Sequence, residues 1–185
     1  MTGSDIAPKR AGAIAHLALR PARNADGDGV SDLIASVFAQ YPGCVFDRAG
    51  EFPELDAIAD DFRASHGRMW VVEDRDGRIL GCFGVKYDPA TREAELHKVY
   101  LDQSCRGQGV AQRLLAKALT WLGDKHSDCE TVMLWTDTRF EAGHRFYEKS
   151  GFARTGQNRI LDDLSQSSEI QFRLDFATYR TFLAI

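Results

Sequence analysis

The sequence has no apolar run near the roughly 20 residues that a membrane-spanning helix needs. Its first ten residues, with Asp5, Pro8 and Lys9, lack the apolar stretch of a secretion signal. We therefore expect an unexported, cytoplasmic protein with no membrane partner. Cysteine is sparse. Cys44, Cys82, Cys105 and Cys129 form no Cys-x-x-Cys pair and have no histidine at ligand spacing, which argues against a zinc site or a redox motif and leaves free thiols. Basic charge is also in deficit, with 23 Lys and Arg against 27 Asp and Glu and a formal net charge of −4. The cations are scattered, so no nucleic-acid partner is expected, because phosphate contacts need clustered Lys and Arg.

What is present is enough for one compact domain. A chain of 185 residues with 44% hydrophobic content can bury about 70% of its unfolded surface, so neither disulfide nor metal is needed to staple it. Residues 14–19 form an apolar run that reads as a first strand after a flexible tail, 1–12. Val30, Leu33, Ile34, Val37 and Phe38 have helical spacing, and Leu55, Ile58, Ala59 and Phe62 repeat it more weakly. Residues 69–73 and 78–87 flank an Asp-Arg-Asp-Gly turn and read as a hairpin, and 93–101 alternates as a third meander strand. By that alternation Glu95, His97, Val99 and Leu101 share one face. A broad apolar stripe from Val110 to Leu122 predicts a long helix stopped at Gly123. A buried strand over 131–136, a short helix over 141–149 and two closing strands near 152–160 and 169–176 complete the chain.

The segment richest in chemistry is Arg106-Gly107-Gln108-Gly109-Val110-Ala111, between a strand and a helix. Glycines let backbone approach an anion, and the first N–H groups of a helix lack partners while its dipole favours negative charge. No Lys-Ser or Lys-Thr follows, which excludes a P-loop, and no third glycine follows a first βα unit, which excludes a dinucleotide fingerprint. Alone, the segment fits either a pyrophosphate site or an ordinary helix start with glycines for packing.

The segment does not stand alone. Arg106-x-x-Gly109-x-Ala111 resembles motif A of the GCN5-related N-acetyltransferase (GNAT) family, and Tyr147-Glu148-Lys149-x-Gly151-Phe152 resembles the end of that family's second motif. The order of elements also matches over nearly the whole chain. The resemblance implies a single domain over 13–185, of mixed α+β class. Its mostly antiparallel, twisted sheet would have about seven strands splayed between the fourth and fifth, with about four helices. It further implies acetyl-CoA as cosubstrate and an amine of a small molecule or peptide as acceptor, in a monomer or homodimer.

Family roles can then be carried onto matching positions. The backbone of Gly107, Gln108, Gly109, Val110 and Ala111 would hold the pyrophosphate, with Arg106 adding charge, while Val99 and Leu101 would offer strand backbone to the pantetheine arm. Phe140 stands where many members carry Asn, beside Ala142 at the start of the second motif. Tyr147 is the candidate acid for the leaving thiolate. Glu95 is the first candidate for the base and His97 the second, against the plain alternative that both are exposed strand residues. Asp47, Glu51, Glu54, Asp56, Asp60 and Asp61 would wall an acceptor pocket, where they attract a cation or merely form a solvated face, and Tyr41, Phe46 and Phe52 could line it. Two rival readings remain: a non-catalytic acyl-CoA-binding module, and an unrelated α+β domain whose glycine turn binds nothing.

Overall fold

The computed structural model describes residues 17–183; the tail expected over 1–12 and the start of the expected first strand, 14–16, lie outside them. Strands β1 (Ala18–Pro21), β2 (Arg68–Glu73), β3 (Ile79–Asp88), β4 (Glu93–Leu101), β5 (Thr131–Asp137), β6 (Ala153–Ile160) and β7 (Ser168–Asp175) form one sheet in the order β1-β2-β3-β4-β5-β7-β6. Every neighbouring pair is antiparallel except β4 and β5. The class is the mixed α and β architecture expected. Helices α1 (Gly27–Phe38), α2 (Arg48–Glu51) and α3 (Ile58–Ala64) cover one face, and α4 (Val110–Lys125) lies on the other. Helix α5 (Glu141–Lys149) follows β5, and α6 (Phe176–Leu183) follows β7.

Two apolar clusters sandwich the sheet. Val30, Ile34, Leu55, Ile58 and Phe62 pack with Met69, Val71 and Cys82 on the α1 side. Trp70, Phe83, Leu114, Ala118, Leu122, Val132 and Phe172 pack on the α4 side. The helical spacing of Val30 to Phe38 thus reports a real buried stripe.

Three expectations are corrected. Gly123 does not stop α4, which runs on to Lys125; a Cβ there would meet the Arg180 side chain at 3.4 Å and the Phe176 ring at 3.8 Å, so the glycine marks the close approach of α6. The described residues do not finish on a strand but continue into α6. Asp175 accepts from the Thr178 backbone N–H at 2.9 Å and its hydroxyl at 2.8 Å, a capping arrangement that starts α6. The third correction concerns β4. His97 pairs with Gly84 and Tyr100 with Cys82, so Lys98 and Val99 together oppose one residue of β3, and Lys98 takes φ 53°. This bulge reverses the alternation. Glu95 and His97 face the α1 side with Tyr100, where the His97 ring lies 6.3 Å from that of Phe62, whereas Val99 and Leu101 pack against the α4 cluster. The four residues do not share a face.

Pairing of β4 with β5 covers only Glu93–Thr131, Ala94–Val132 and Glu95–Met133. Beyond Glu95 the two strands part, and β5 continues against β7 alone. Gly84 supports the bulged turn of the pair, because a Cβ there would sit 2.3 Å from Phe62 Cε1 and 3.2 Å from the His97 carbonyl oxygen. Gly84→Ala is expected to destabilise the fold by about 1–3 kcal/mol through overpacking, read as a lower urea midpoint at unchanged slope.

Candidate active site

Two cavities open where β4 and β5 diverge, each of about 400 Å³. Val99, Tyr100, Thr136, Phe140 and Tyr147 line both, so the cavities meet there.

The first cavity is a groove under the start of α4. Asp102 begins a 3-10 turn, Gln103–Cys105, by accepting from Ser104 N–H at 2.9 Å and Ser104 Oγ at 2.6 Å. That hydroxyl bond first, then the backbone bond, holds the Asp102 carboxyl below its ordinary range against the opposing effect of burial. Gly107 and Gly109 then adopt φ of 70° and 75°, a left-handed conformation that side chains other than glycine rarely accept. A Cβ on either would meet nothing within 4 Å, so the space before them is open. Gly109 is the N-cap of α4, and no side chain caps the helix. Its first-turn N–H groups therefore keep their capacity for an acceptor, with the helix dipole adding to the attraction for an anion. These features fit a pyrophosphate.

Arg106, Gly107, Gly109, Val110 and Ala111 line the groove with Val99, Leu101, Phe140 and Ala142. The Gln108 side chain does not; its amide donates to the Ser104 carbonyl. Arg106 Nη2 donates to Gln40 Oε1 at 2.8 Å, tying the turn to the end of α1. Phe140 occupies the N-cap of α5, with its ring 4.6 Å from that of Tyr41 and 6.0 Å from that of Phe38. It supplies an apolar wall and no side-chain hydrogen bond.

The second cavity holds Glu95 and His97, with Phe52, Trp135, Arg159 and Glu169. Burial acts on the two candidate bases in opposite senses. It lifts the Glu95 carboxyl above its ordinary value, with Arg159 partly offsetting the shift. It depresses His97 to about 4, helped by Lys86 and Lys98. The carboxyl moves toward neutral pH and the imidazole away from it, which ranks Glu95 first. The pair stand 3.7 Å apart, beyond hydrogen-bond reach. Tyr147, on α5, is 5% exposed among the rings of Phe146, Phe152 and Phe172, and burial pushes its phenol up so that it keeps its proton.

Of the six acidic residues expected around the acceptor, only Glu51 lines this cavity. Asp47 caps α2, while Asp56 pairs with Arg48, Asp60 with Arg63, Asp61 with Lys86 and Glu54 with Lys98. Phe52 lines it, Tyr41 lines the first groove, and Phe46 packs against Phe52. The sequence reading missed Tyr100 and Thr136 at the junction. Unbroken alternation put Tyr100 on the other face, and only the bulge brings it in. It also missed Asp163, Arg159 and Glu169, which reach the cavity from the far end of the chain.

Comparison with known proteins agrees with this geometry. The sequence profile of the Acetyltransferase (GNAT) family matches residues 33–152. The chain is 30% identical over 142 residues to a mycothiol acetyltransferase of Salinispora tropica, covering 74% of this chain and 44% of that protein. It is 29% identical over 108 residues to N-acetyltransferase 8F1 of Rattus norvegicus, covering 56% of this chain and 48% of that one. It thus spans about half the length of these curated relatives. A GNAT-family acetyltransferase structure from Staphylococcus aureus Mu50 superposes with a TM-score of 0.74 at 16% identity, over 86% of this chain and 99% of the other. Fold, glycine turn and sequence profile converge: the chain belongs to the GNAT family of acetyltransferases.

Proposed function

We propose that the protein transfers an acetyl group from acetyl-CoA to a primary amine by direct attack, with both substrates bound at once. The observation that carries this reading is the meeting of two cavities at Val99 and Tyr147, one bearing the uncapped helix start and the other bearing Glu95. A relative named as an N-acetyltransferase supports nitrogen as the acceptor atom.

Acetyl-CoA, when bound, supplies an activated thioester and a thiol leaving group. The backbone from Gly107 to Ala111 holds its pyrophosphate, and Arg106 adds positive charge. Residues 96–101 of β4 have no partner on β5. Val99 and Leu101 are therefore placed to offer backbone groups to the amides of the cofactor arm, and a preorganised N–H near Val99 stabilises negative charge developing on the carbonyl oxygen. An alkyl amine has a pKa of about 10.4 and arrives protonated, so a base must free its lone pair. Glu95 accepts that proton, directly or through water. Tyr147, kept protonated by burial, donates to the departing sulfur. His97, neutral at pH 7, borders the acceptor.

Four outcomes test these roles. Gly109→Val forces a branched side chain into a left-handed conformation, and it should weaken CoA binding by calorimetry while circular dichroism still shows the folded state. Tyr147→Phe should lower kcat by about 10²- to 10⁴-fold with little change in acetyl-CoA affinity; a variant within threefold or so of the parent would remove Tyr147 from the chemistry. Glu95→Gln should reduce kcat/KM most below pH 8 and less at pH 9, where more free amine is present. In the parent enzyme the acid limb should follow Glu95. Arg159→Ala should move that limb to higher pH, because it removes the cation that favours the carboxylate and leaves Glu169 uncompensated.

A further inference from the structure

Residues 39–47, between α1 and α2, form a strap that borders both cavities. Tyr41 lines the first and Cys44 the second, and the Tyr41 ring packs 4.6 Å from that of Phe140, which belongs to both. The sequence builds a tight turn here: Cys44 N–H donates to the Tyr41 carbonyl at 3.1 Å across Pro42 and Gly43, and Gly43 takes φ 79°. Pro followed by Gly at the two central positions is the pattern of a type II turn. The strap has a polar tie at each end.

The first tie runs to the glycine turn. Gln40 Nε2 donates to the Ser36 carbonyl at 2.9 Å, and its Oε1 accepts from Arg106 Nη2 at 2.8 Å. Arg106 Nη2 also reaches the Leu101 carbonyl at 3.4 Å, while Nε and Nη1 make no hydrogen bond among the described residues. A guanidinium carries five donors in a fork, so Arg106 can grip an anion on the turn and keep Gln40 at the same time.

The second tie runs to the β6–β7 connection, 161–167. Ser165 Oγ accepts from Val45 N–H at 2.8 Å and donates to the Val45 carbonyl at 3.1 Å. Ser165 is 8% exposed, whereas Val45 and Leu164 are 43% and 65% exposed, so polar bonds and not apolar packing hold this crossing. From the β5–α5 turn, Arg139 Nη1 donates to the Ser165 carbonyl at 3.3 Å and Nη2 to Ser167 Oγ at 2.9 Å, which fixes the connection independently. Leu161, Asp163 and Ser167 of that connection line the second cavity.

We infer that the strap couples the two cavities, with Gln40 and Ser165 as its positioning residues: an anionic cofactor on the glycine turn fixes Arg106, and through Gln40 and Ser165 that order reaches the wall that 161–167 give the second cavity. This rests on the reading of the first groove as the CoA site and adds how its occupancy regulates the acceptor side. Flexibility removed by the first ligand is not lost again when the second binds, so the acceptor binds better to the CoA-loaded protein than to the free one. Gln40 and Ser165 touch no reacting atom.

The test follows the Val45 amide, the donor in the Ser165 bond, by hydrogen exchange in the free protein and at saturating CoA. CoA should slow its exchange by about threefold or more. Gln40→Ala should abolish that slowing while calorimetry still shows CoA bound. Ser165→Ala should make the amide exchange fast with or without CoA, and Ser165→Thr, which keeps the hydroxyl, should retain both the protection and its response to CoA; thermal melting confirms that each variant folds. A Gln40 with a merely structural role would, on removal, speed exchange equally in the free and loaded states and leave the response to CoA intact. That result overturns the inference, as does protection that survives in Ser165→Ala. If calorimetry shows no CoA binding to the parent, the donor assignment fails and the coupling with it; binding without any slowing at Val45 overturns the coupling alone.

Discussion

The parallel ladder between β4 and β5 ends after three residue pairs, and the whole site depends on its ending there. Backbone groups in a sheet interior are normally consumed by neighbouring strands. Here β5 keeps its antiparallel partner β7 along its full length while β4 loses its neighbour beyond Glu95. The gap opens in the middle of the sheet, and a hydrophobic cluster on each side keeps the two halves together around it. The result is a passage with a wall of unpaired strand backbone, which a featureless pocket of side chains would not provide.

The bulge at Lys98 divides one strand between two cavities. Before it, Glu95 and His97 look toward the α1 side and the second cavity; after it, Val99 and Leu101 look toward α4 and the glycine turn. The Cys82 thiol donates to the Lys98 carbonyl at 3.0 Å, which helps satisfy backbone that the irregular register leaves over. Burial then differentiates the ionisable groups. It favours the neutral form everywhere, so it raises the carboxyl and the phenol and lowers the imidazole, with Glu95 and His97 in the second cavity and Tyr147 at the junction of the two.

Much of this was legible in the sequence because it rests on local periodicity. The stripe from Val30 to Phe38, the meander strands, the Gly107–Gly109 turn and the 141–149 helix each carry their own pattern, and each is found where that pattern puts it. What escaped has a common cause. The bulge depends on the pairing of β4 with β3, and nothing in residues 93–101 shows one residue too many. Gly123 reads as a helix stop until α6 is seen packed on it. The acidic residues of the 47–61 region look alike in sequence, yet they are separated by distant partners: Lys86 and Lys98 claim Asp61 and Glu54, while Glu51 lines the second cavity with Asp163, more than a hundred positions away. The capping Asp175 was a local signal and could have announced α6.

The same bulge has an evolutionary consequence. Because the strand changes faces at Lys98, substitutions at 95 and 97, on the 51-bearing turn or in the β6–β7 connection alter one cavity without entering the other. Only Val99, Tyr100, Thr136, Phe140 and Tyr147 belong to both. On the proposed assignment of the first groove to the acetyl donor and the second cavity to the acceptor, a lineage carrying this arrangement can exchange one acceptor for another by drift in short loops while its hold on the donor stays intact, and its members should diverge fastest along the rim of the second cavity and slowest at those five shared positions.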